Sequence, residues 1–312
     1  MTSPSLRLGT RSSPLAMAQA RETRDRLCAA DGLKPEDIEI VSVRASGDKV
    51  QDRPLAEIGG KALWTKELDA ALIAGEIDFA VHSAKDVETI RPAAIAIAAV
   101  LEREDVRDVL VGAPSIAALP AGAVIGTSAP RRAAQLLHQR PDCRVVPIRG
   151  NVATRLAKLA AGEVDATFLA LAGLNRLGES GVGHPLNAED WLPAPGQAAI
   201  AIECRTDDAP MRERLALIDH GPSRRALLAE RSLLAALGGS CHSAVAALTR
   251  CNGDAMTMRA ALFSPDGAER IEQSISFRHG DAQAPARLAA SLLDAAPAAI
   301  SDHFAKPQAD FR

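Results

Sequence analysis

The chain has 312 residues, 47% of them hydrophobic, and a formal net charge of −3. That is enough apolar sequence for two or three compact domains, and no run stays apolar for the length that would cross a bilayer. Aromatic residues make up only 3% and tyrosine is absent, which argues against the stacking surfaces of a single-strand nucleic-acid binder.

Apolar runs alternate with helical patterns over the first two hundred residues, which predicts an α/β fold. The predicted strands are "LRLGT", "IEIVSV", "IDFAVHSA", "AIAIAAVL", "DVLVG", "AVIGTSA", "CRVVPIRG", "VDATFLALAG" and "QAAIAIECR". The predicted helices are Pro14 to about Ala30, "TKELDAALIAG", "RRAAQLLHQR" and "VATRLAKLAAG". Ligands of such sheets lie at the carboxyl ends of the strands.

A weak internal repeat predicts two similar lobes. "GTRSSP" at Gly9 resembles "GTSAP" at Gly126, and "GEIDFAV" at Gly75 resembles "GEVDATF" at Gly162, so the spacing is 66 residues in the first copy and 36 in the second. The excess is assigned to Arg44–Trp64, which is either a mobile loop over a cleft or a plain surface excursion.

After "ECRTDDAP" the pattern changes to a long helix, "SRRALLAERSLLAALGG", followed by strands "SAVAALT", "MTMRAALFS" and "RIEQSISF", and a final helix from about Pro285. This predicts a third, α+β domain that begins near Pro222. The expected division is 1–100 with 200–218 for domain 1, 101–199 for domain 2 and 219–312 for domain 3.

The arginines of the second lobe indicate a carboxylated ligand. Arg131 and Arg132 lie in the first turn of a helix, where positive charge opposes the helix dipole unless an anion is present. Arg149 is expected to end a strand, and Arg155 lies one turn beyond Asn151, the expected N-cap. Guanidinium groups grip both oxygens of a carboxylate. The alternative is a set of solvated surface arginines.

Two strand-to-helix junctions, Ser12–Ser13 and Thr127–Ser128, are expected to present backbone N–H groups to an anion. In the first lobe, Lys85 and Asp86 follow a buried strand, where Asp86 would stabilise a developing cation or move a proton. The alternative is an ordinary surface ion pair.

The five cysteines are scattered and show no disulfide or zinc-ligand spacing, so we expect reduced thiols and no metal. Cys241, in the glycine-flanked "LGGSCHSA", is either a buried small residue or an accessible nucleophile. The N-terminus lacks a signal-peptide pattern, which favours a cytoplasmic location.

Nine motifs resemble, in order and spacing, the porphobilinogen deaminase (hydroxymethylbilane synthase) family of tetrapyrrole biosynthesis. They span almost the whole chain: "GTRSSPLAMAQA", "GGKALWTKEL", "AVHSAKDV", "EREDVRDVLV", "IGTSAPRR", "RGNVATRL", "LALAGLNRLG", "PAPGQAAIAIECR" and "LGGSC". The resemblance implies an α/β fold with two lobes like type II periplasmic binding proteins around a cleft, plus a smaller α+β third domain.

The resemblance also implies the chemistry. A dipyrromethane cofactor built from two substrate molecules would hang by a thioether from Cys241, and four porphobilinogen molecules would be condensed onto it before hydrolysis releases the linear tetrapyrrole. Asp86 would hold pyrrole N–H groups and stabilise the azafulvene cation left when ammonia departs. The partners would be porphobilinogen and the growing polypyrrole, with no nucleic acid or membrane, and the family precedent is a monomer.

The family's binding roles carry over onto cations and polar residues at the predicted cleft. Cofactor binding falls on Lys85, Thr127, Ser128, Arg131 and Arg132. Substrate binding falls on Arg11, Ser13, Gln19, Lys61, Arg149, Arg155 and Arg176, although spacing alone leaves Arg176 equally an ordinary helix-surface charge. The chain departs from the usual family pattern at Ala62, Trp64, Glu88, Pro130 and Ala244.

Two other classes of protein share parts of this pattern. A cytosolic two-lobe binding protein for a carboxylated small molecule would explain the repeat and the arginines, but it would need neither Asp86 nor an accessible Cys241. The effector domain of a transcriptional regulator would need a nucleic-acid-binding module, and none is visible.

Overall fold

The computed structural model describes residues 6–43, 65–240 and 243–304. The strands are β1 (Leu6–Arg11), β2 (Ile38–Val43), β3 (Phe79–Ser83), β4 (Ile95–Val100), β5 (Asp108–Val111), β6 (Val124–Gly126), β7 (Arg144–Val146), β8 (Ala166–Ala170), β9 (His184–Pro185), β10 (Ile200–Arg205), β11 (Val245–Asn252), β12 (Ala255–Phe263) and β13 (Arg270–Arg278). The helices are α1 (Pro14–Asp31), α2 (Lys66–Ile73), α3 (Pro130–Gln139), α4 (Val152–Ala160), α5 (Leu171–Leu177), α6 (Ala209–Ala216), α7 (Gly221–Ala236), α8 (Ala284–Ala295) and α9 (Ala298–Ser301). Short 3-10 turns occupy Pro35–Asp37 and Ala84–Asp86.

The first lobe is built on a five-stranded sheet in the order β2-β1-β3-β10-β4. β1 pairs in parallel with both β2 and β3, so the carboxyl ends of these three strands meet at one edge. β10 runs antiparallel to β3 and β4. The sheet is buried around Leu8, Phe79, Val81 and Ile202.

The second lobe repeats this order as β7-β6-β8-β5-β9, with β6 parallel to β7 and β8, and β5 antiparallel to β8 and β9. The shared order confirms the two similar lobes expected from the repeat. β7 is shorter than predicted and ends at Val146, just before Pro147, which lacks the N–H that a ladder needs. Arg149 therefore lies three residues beyond the strand, and the expectation that it ends β7 is wrong.

The remaining sheet, β11-β12-β13, is antiparallel and packs against α7 and α8. Its core includes Leu233, Met258, Leu288 and Leu292, all buried. This arrangement gives the smaller α+β unit expected after the change of pattern. None of the helices in the described ranges is long and apolar enough to cross a membrane.

Candidate active site

The first-lobe half of the site lies where β1 and β3 end. Ser13 caps α1, accepting a hydrogen bond from the Ala16 N–H at 3.3 Å, and Pro14 fills the first helical turn. The 3-10 turn after β3 carries Lys85 and Asp86. Gly196, with φ of +73°, lies close to this turn: a Cβ at this position would lie 3.3 Å from the backbone nitrogen of Lys85. The absence of a side chain therefore lets the chain from the second lobe pass here.

A pocket at this edge contains several of the sequence-predicted residues together. Its polar lining includes Arg11, Ser13, Gln19, Ser83 and Asp86. The Gln19 amide donates to Ser83 Oγ at 2.9 Å, and Arg11 Nη1 lies 3.8 Å from Asp86 Oδ2. The Asp86 side chain keeps 39% of its surface exposed, so its carboxylate can still receive hydrogen bonds from a ligand.

The same pocket is lined by His82, a residue that the sequence reasoning did not single out. Burial, aided by the nearby Arg91 guanidinium, lowers the pKa of His82 to about 4, so the imidazole is neutral near pH 7. Its Nε2 lies 3.4 Å from the buried carboxylate of Glu203, which itself accepts two hydrogen bonds from Arg91. The only sequence signal was its position one residue before the end of a buried strand.

Arg131 and Arg132, at the start of α3, both contact the carboxylate of Asp108 at the start of β5. Arg131 Nη2 donates to Oδ2 and Arg132 Nη2 to Oδ1, each at 2.7 Å. Trp191 Nε1 and the Gln197 amide complete the shell with further hydrogen bonds of 2.9 Å. Burial opposes ionisation of Asp108, but the two guanidiniums outweigh it and hold its pKa well below the usual range.

Asp108 thus supplies an anion at the N-terminus of α3, where the sequence required one. Both arginines are buried, so the alternative of solvated surface arginines is wrong for this pair. Within the described part of the chain, the Nε–H groups of Arg131 and Arg132 have no acceptor. One carboxylate therefore leaves two buried cationic groups partly unsatisfied, and such donors are costly unless a further acceptor is supplied.

Positive charge from both lobes converges at the cleft. Burial lowers the pKa of Lys85 to about 8, with a further lowering from Arg132 that Asp86 and Asp108 oppose. Arg155, on α4, behaves similarly: burial, then the charge of Arg132, lowers its pKa to about 10. These mutual effects place the cations of one lobe within electrostatic range of the other. The arrangement favours a ligand with several negative groups.

Several hydrogen-bond donors near the starts of α3 and α4 are already paired with acceptors of the protein. The Thr127 N–H donates to the Val146 carbonyl at 2.9 Å. The sequence analysis expected this amide to be open to an anionic ligand, and for Thr127 that expectation is wrong. Ser128 Oγ donates to the Ile148 carbonyl at 2.9 Å. Asn151 caps α4 as predicted, and Arg155 Nε donates to the Gly150 carbonyl at 3.0 Å.

Arg176 is not an ordinary surface charge, since its side chain is only 8% exposed. Its Nε donates to Glu22 Oε2 at 3.2 Å, joining α5 of the second lobe to α1 of the first. Arg176 therefore lies where the two lobes meet, and its burial removes the alternative of an ordinary helix-surface charge.

Several sequence-predicted features lie outside the described residues. These are Cys241, Lys61, Ala62 and the whole Arg44–Trp64 segment. Of the other departures from the family pattern, Glu88 accepts hydrogen bonds from Thr65 and Arg91, Pro130 opens α3, and Ala244 is buried beside β12.

Comparison with known proteins gives two family models that match this chain. The family model "Porphobilinogen deaminase, dipyromethane cofactor binding domain" matches residues 6–213, and "Porphobilinogen deaminase, C-terminal domain" matches residues 225–295. The porphobilinogen deaminase of Sphingopyxis alaskensis is 55% identical over 306 residues, covering 96% of each chain.

Other relatives extend the similarity. The porphobilinogen deaminase of Nitrobacter winogradskyi is 51% identical over 89% of each chain, and the chloroplastic enzyme of Pisum sativum is 48% identical over 86% of this chain and 75% of its own. Among solved structures, the periplasmic VFT2 domain of Bordetella pertussis BvgS matches with a TM-score of 0.40 and 17% identity, over 73% of this chain and 92% of that domain. The two family models and these identities show that the chain belongs to the porphobilinogen deaminase family.

Proposed function

We propose that this chain condenses four porphobilinogen molecules, with loss of ammonia, onto a covalent dipyrromethane cofactor and then releases the linear tetrapyrrole hydroxymethylbilane by hydrolysis. The observation that carries the proposal is Asp86, a carboxylate that lines a pocket and keeps 39% of its side chain exposed. It interacts electrostatically with cations of both lobes, Lys85 and Arg155. The reaction is a transferase reaction, and its substrate carries two carboxylates on each ring.

Asp86 is proposed as the catalytic residue. Its free oxygens are able to accept hydrogen bonds from a pyrrole N–H, which orients the ring at the pocket. A fixed carboxylate also stabilises positive charge that develops on the substrate ring as ammonia leaves. Arg11 Nη1 lies 3.8 Å from Asp86 Oδ2 and leaves 39% of the Asp86 side chain exposed.

The residues at the centre of the cleft fit the cofactor. Two linked rings carry four carboxylates. The buried Nε–H groups of Arg131 and Arg132 have no acceptor in the described part of the chain, and burial together with the charge of Arg132 lowers the pKa of Lys85. We propose that these three residues hold the carboxylate arms together with Ser128 and the side chain of Thr127, since the Thr127 N–H already donates to the Val146 carbonyl. When bound, the cofactor supplies the pyrrole carbon to which the first substrate ring is joined.

Binding of the incoming substrate is proposed for the surrounding residues. Guanidinium groups suit this task because they grip carboxylates in a planar, two-point geometry. The proposed set is Arg11, Ser13, Gln19, Lys61, Arg149, Arg155 and Arg176. Cys241 is proposed as the attachment residue.

We further propose that the protein works as a cytoplasmic monomer, without nucleic acid or membrane as a partner. The cysteines support the compartment alone: Cys28, Cys143, Cys204 and Cys251 are all unbridged in the described part of the chain. A reducing compartment would keep such thiols in this form.

The experiment that tests the proposal compares the wild type with Asp86→Asn and a matched control, Asp25→Asn. Asp25 is an aspartate on α1 with an exposed side chain, so its substitution removes the same charge without touching the pocket. Ammonia release and hydroxymethylbilane formation are measured with porphobilinogen. We expect kcat of Asp86→Asn to fall by about a hundredfold or more, with an unchanged melting temperature, and Asp25→Asn to match the wild type. Turnover by Asp86→Asn close to that of the wild type would remove the role assigned to Asp86.

A further inference from the structure

Arg176 is held by a carboxylate of the opposite lobe. Its Nε lies 3.2 Å from Glu22 Oε2, and the Arg176 side chain is 8% exposed against 28% for the Glu22 side chain. With so little open surface, a ligand carboxylate can reach this face of Arg176 only by taking the place that Glu22 occupies. Glu22 would not be stranded by the exchange, because its other oxygen also accepts a hydrogen bond from Arg26 at 3.1 Å.

Glu22 stands beside the pocket that holds Asp86. Leu15, Gln19 and Glu22 are spaced by four and three residues along α1, so their side chains lie on one face of that helix. Leu15 and Gln19 line the pocket. Leu15 also faces α5, since a Cβ on Gly173 would lie 3.5 Å from Leu15 Cδ2. The Glu22 carboxylate is therefore one turn further along a helix face that already borders both the pocket and the second lobe.

The same end of α5 contacts both segments that connect the two lobes. Arg176 Nη2 donates to the Ala198 carbonyl at 3.2 Å, just before β10, and the Asn175 amide donates to Glu104 Oε1 at 3.2 Å, between β4 and β5. Ala198 has φ of +69°, a left-handed conformation that disfavours any residue with a Cβ, and it is the one non-glycine with positive φ in the described ranges. A change in the partner of Arg176 is thus a change at the junction of the lobes.

We propose that Glu22 is a resident carboxylate that competes with the carboxylate arms of the substrate for Arg176. Substrate entry exchanges an ion pair between the lobes for an ion pair between enzyme and substrate. Glu22 thereby lowers the apparent affinity for a carboxylated ligand and ties the lobes together while the cleft awaits substrate. The inference rests on the proposed function, which places a substrate carboxylate at Arg176.

The competition has a definite kinetic signature. The ion pair with Glu22 stabilises the free enzyme. Relative to the free enzyme, it therefore raises the free energy of the substrate complex and that of the transition state by the same amount. Its removal therefore lowers KM and leaves kcat unchanged. A partly exposed ion pair contributes about 1 kcal/mol or less, and about 1.4 kcal/mol corresponds to tenfold. We expect Glu22→Gln to lower KM for porphobilinogen by about two- to fivefold.

The test uses the cofactor-loaded enzyme and porphobilinogen. Glu22→Gln removes the charge and keeps the shape, Glu22→Asp keeps the charge, and Asp25→Asn removes an equal charge from the same helix away from Arg176. Each variant is also made in an Arg176→Met background, which forms a double-mutant cycle. Among the three single variants, we expect KM to fall only in Glu22→Gln, while Glu22→Asp and Asp25→Asn match the wild type. In the Arg176→Met background, we expect Glu22→Gln to leave KM unchanged.

A second readout needs no turnover. Amide hydrogen exchange across α5 in the absence of porphobilinogen should be faster in Glu22→Gln than in the wild type and in Asp25→Asn, because the tie between the lobes is lost. An active wild type with a KM that Glu22→Gln leaves unchanged, or lowers equally in the Arg176→Met background, would overturn the inference while leaving the proposed function standing. A wild type that converts no porphobilinogen would overturn the proposed function itself.

Discussion

The Asp108 carboxylate is the element of the site whose removal should be felt most strongly. It is fully buried and accepts four hydrogen bonds, two of them from the buried guanidiniums of Arg131 and Arg132. Asp108→Asn keeps the shape but leaves two like charges facing each other without the anion between them. Breaking a buried ion pair in this way costs about 3–5 kcal/mol.

The assay is thermal unfolding in a Cys241→Ser background. Because Cys241 is the proposed attachment residue, we expect this background to hold no cofactor carboxylate that could replace the lost charge. At roughly 2–4 °C per kcal/mol for chains of 150–250 residues, the melting temperature should fall by about 10 °C. The matched control is Asp105→Asn, which breaks a more exposed pair with Arg107 and should cost about 1 kcal/mol or less. Equal losses in the two variants would refute the reasoning. In the cofactor-loaded protein the fall in melting temperature should be smaller, because the cofactor carboxylates would offset part of the positive charge of Arg131 and Arg132.

Two buried bases give pH-dependent expectations. In Cys241→Ser protein, which we expect to lack the cofactor, the rate of Lys85 acylation, followed by mass spectrometry, should rise with pH with a midpoint near pH 8. In the cofactor-loaded wild type the midpoint should lie at higher pH, and the same midpoint in both proteins would contradict the proposed contact between Lys85 and the cofactor. Since the folded pKa is the lower one, stability should rise with pH between about 8 and the ordinary lysine value. His82, with a folded pKa of about 4, should show no imidazole titration by NMR near pH 7, and its contribution to stability is lost as pH falls from about 6.5 toward 4. A His82 titration near pH 6.5 would refute its burial beside Arg91.

Local pattern was sufficient to predict most of the regular elements. Alternating apolar runs and a helix start with a capping serine and a proline predicted β1 and α1 almost to the residue, and Asn151 caps α4 as expected. The repeat predicted two lobes, and the two five-stranded sheets share one order. Domain boundaries assigned to single residues stay predictions, because sheet order does not test them.

Long-range partners were beyond the reach of the sequence. The helix dipole argument required an anion near Arg131 and Arg132, which open helix α3. Nothing in their local pattern pointed to Asp108, which lies more than twenty residues earlier at the start of strand β5. The pairing of Arg176 with Glu22 spans 154 residues and depends on how two lobes meet. The residue spacings that predict a helix or a strand carry no information on such contacts.

The measurement that tests the central claim most directly is the intact mass of the denatured protein, for the wild type and for Cys241→Ser, each after exposure to porphobilinogen. The account predicts that the wild type exceeds its sequence mass by two linked pyrrole units and that Cys241→Ser does not. A wild type that keeps its bare sequence mass after exposure to porphobilinogen, or a Cys241→Ser variant that carries the same excess, would contradict the assignment of the cofactor to Cys241.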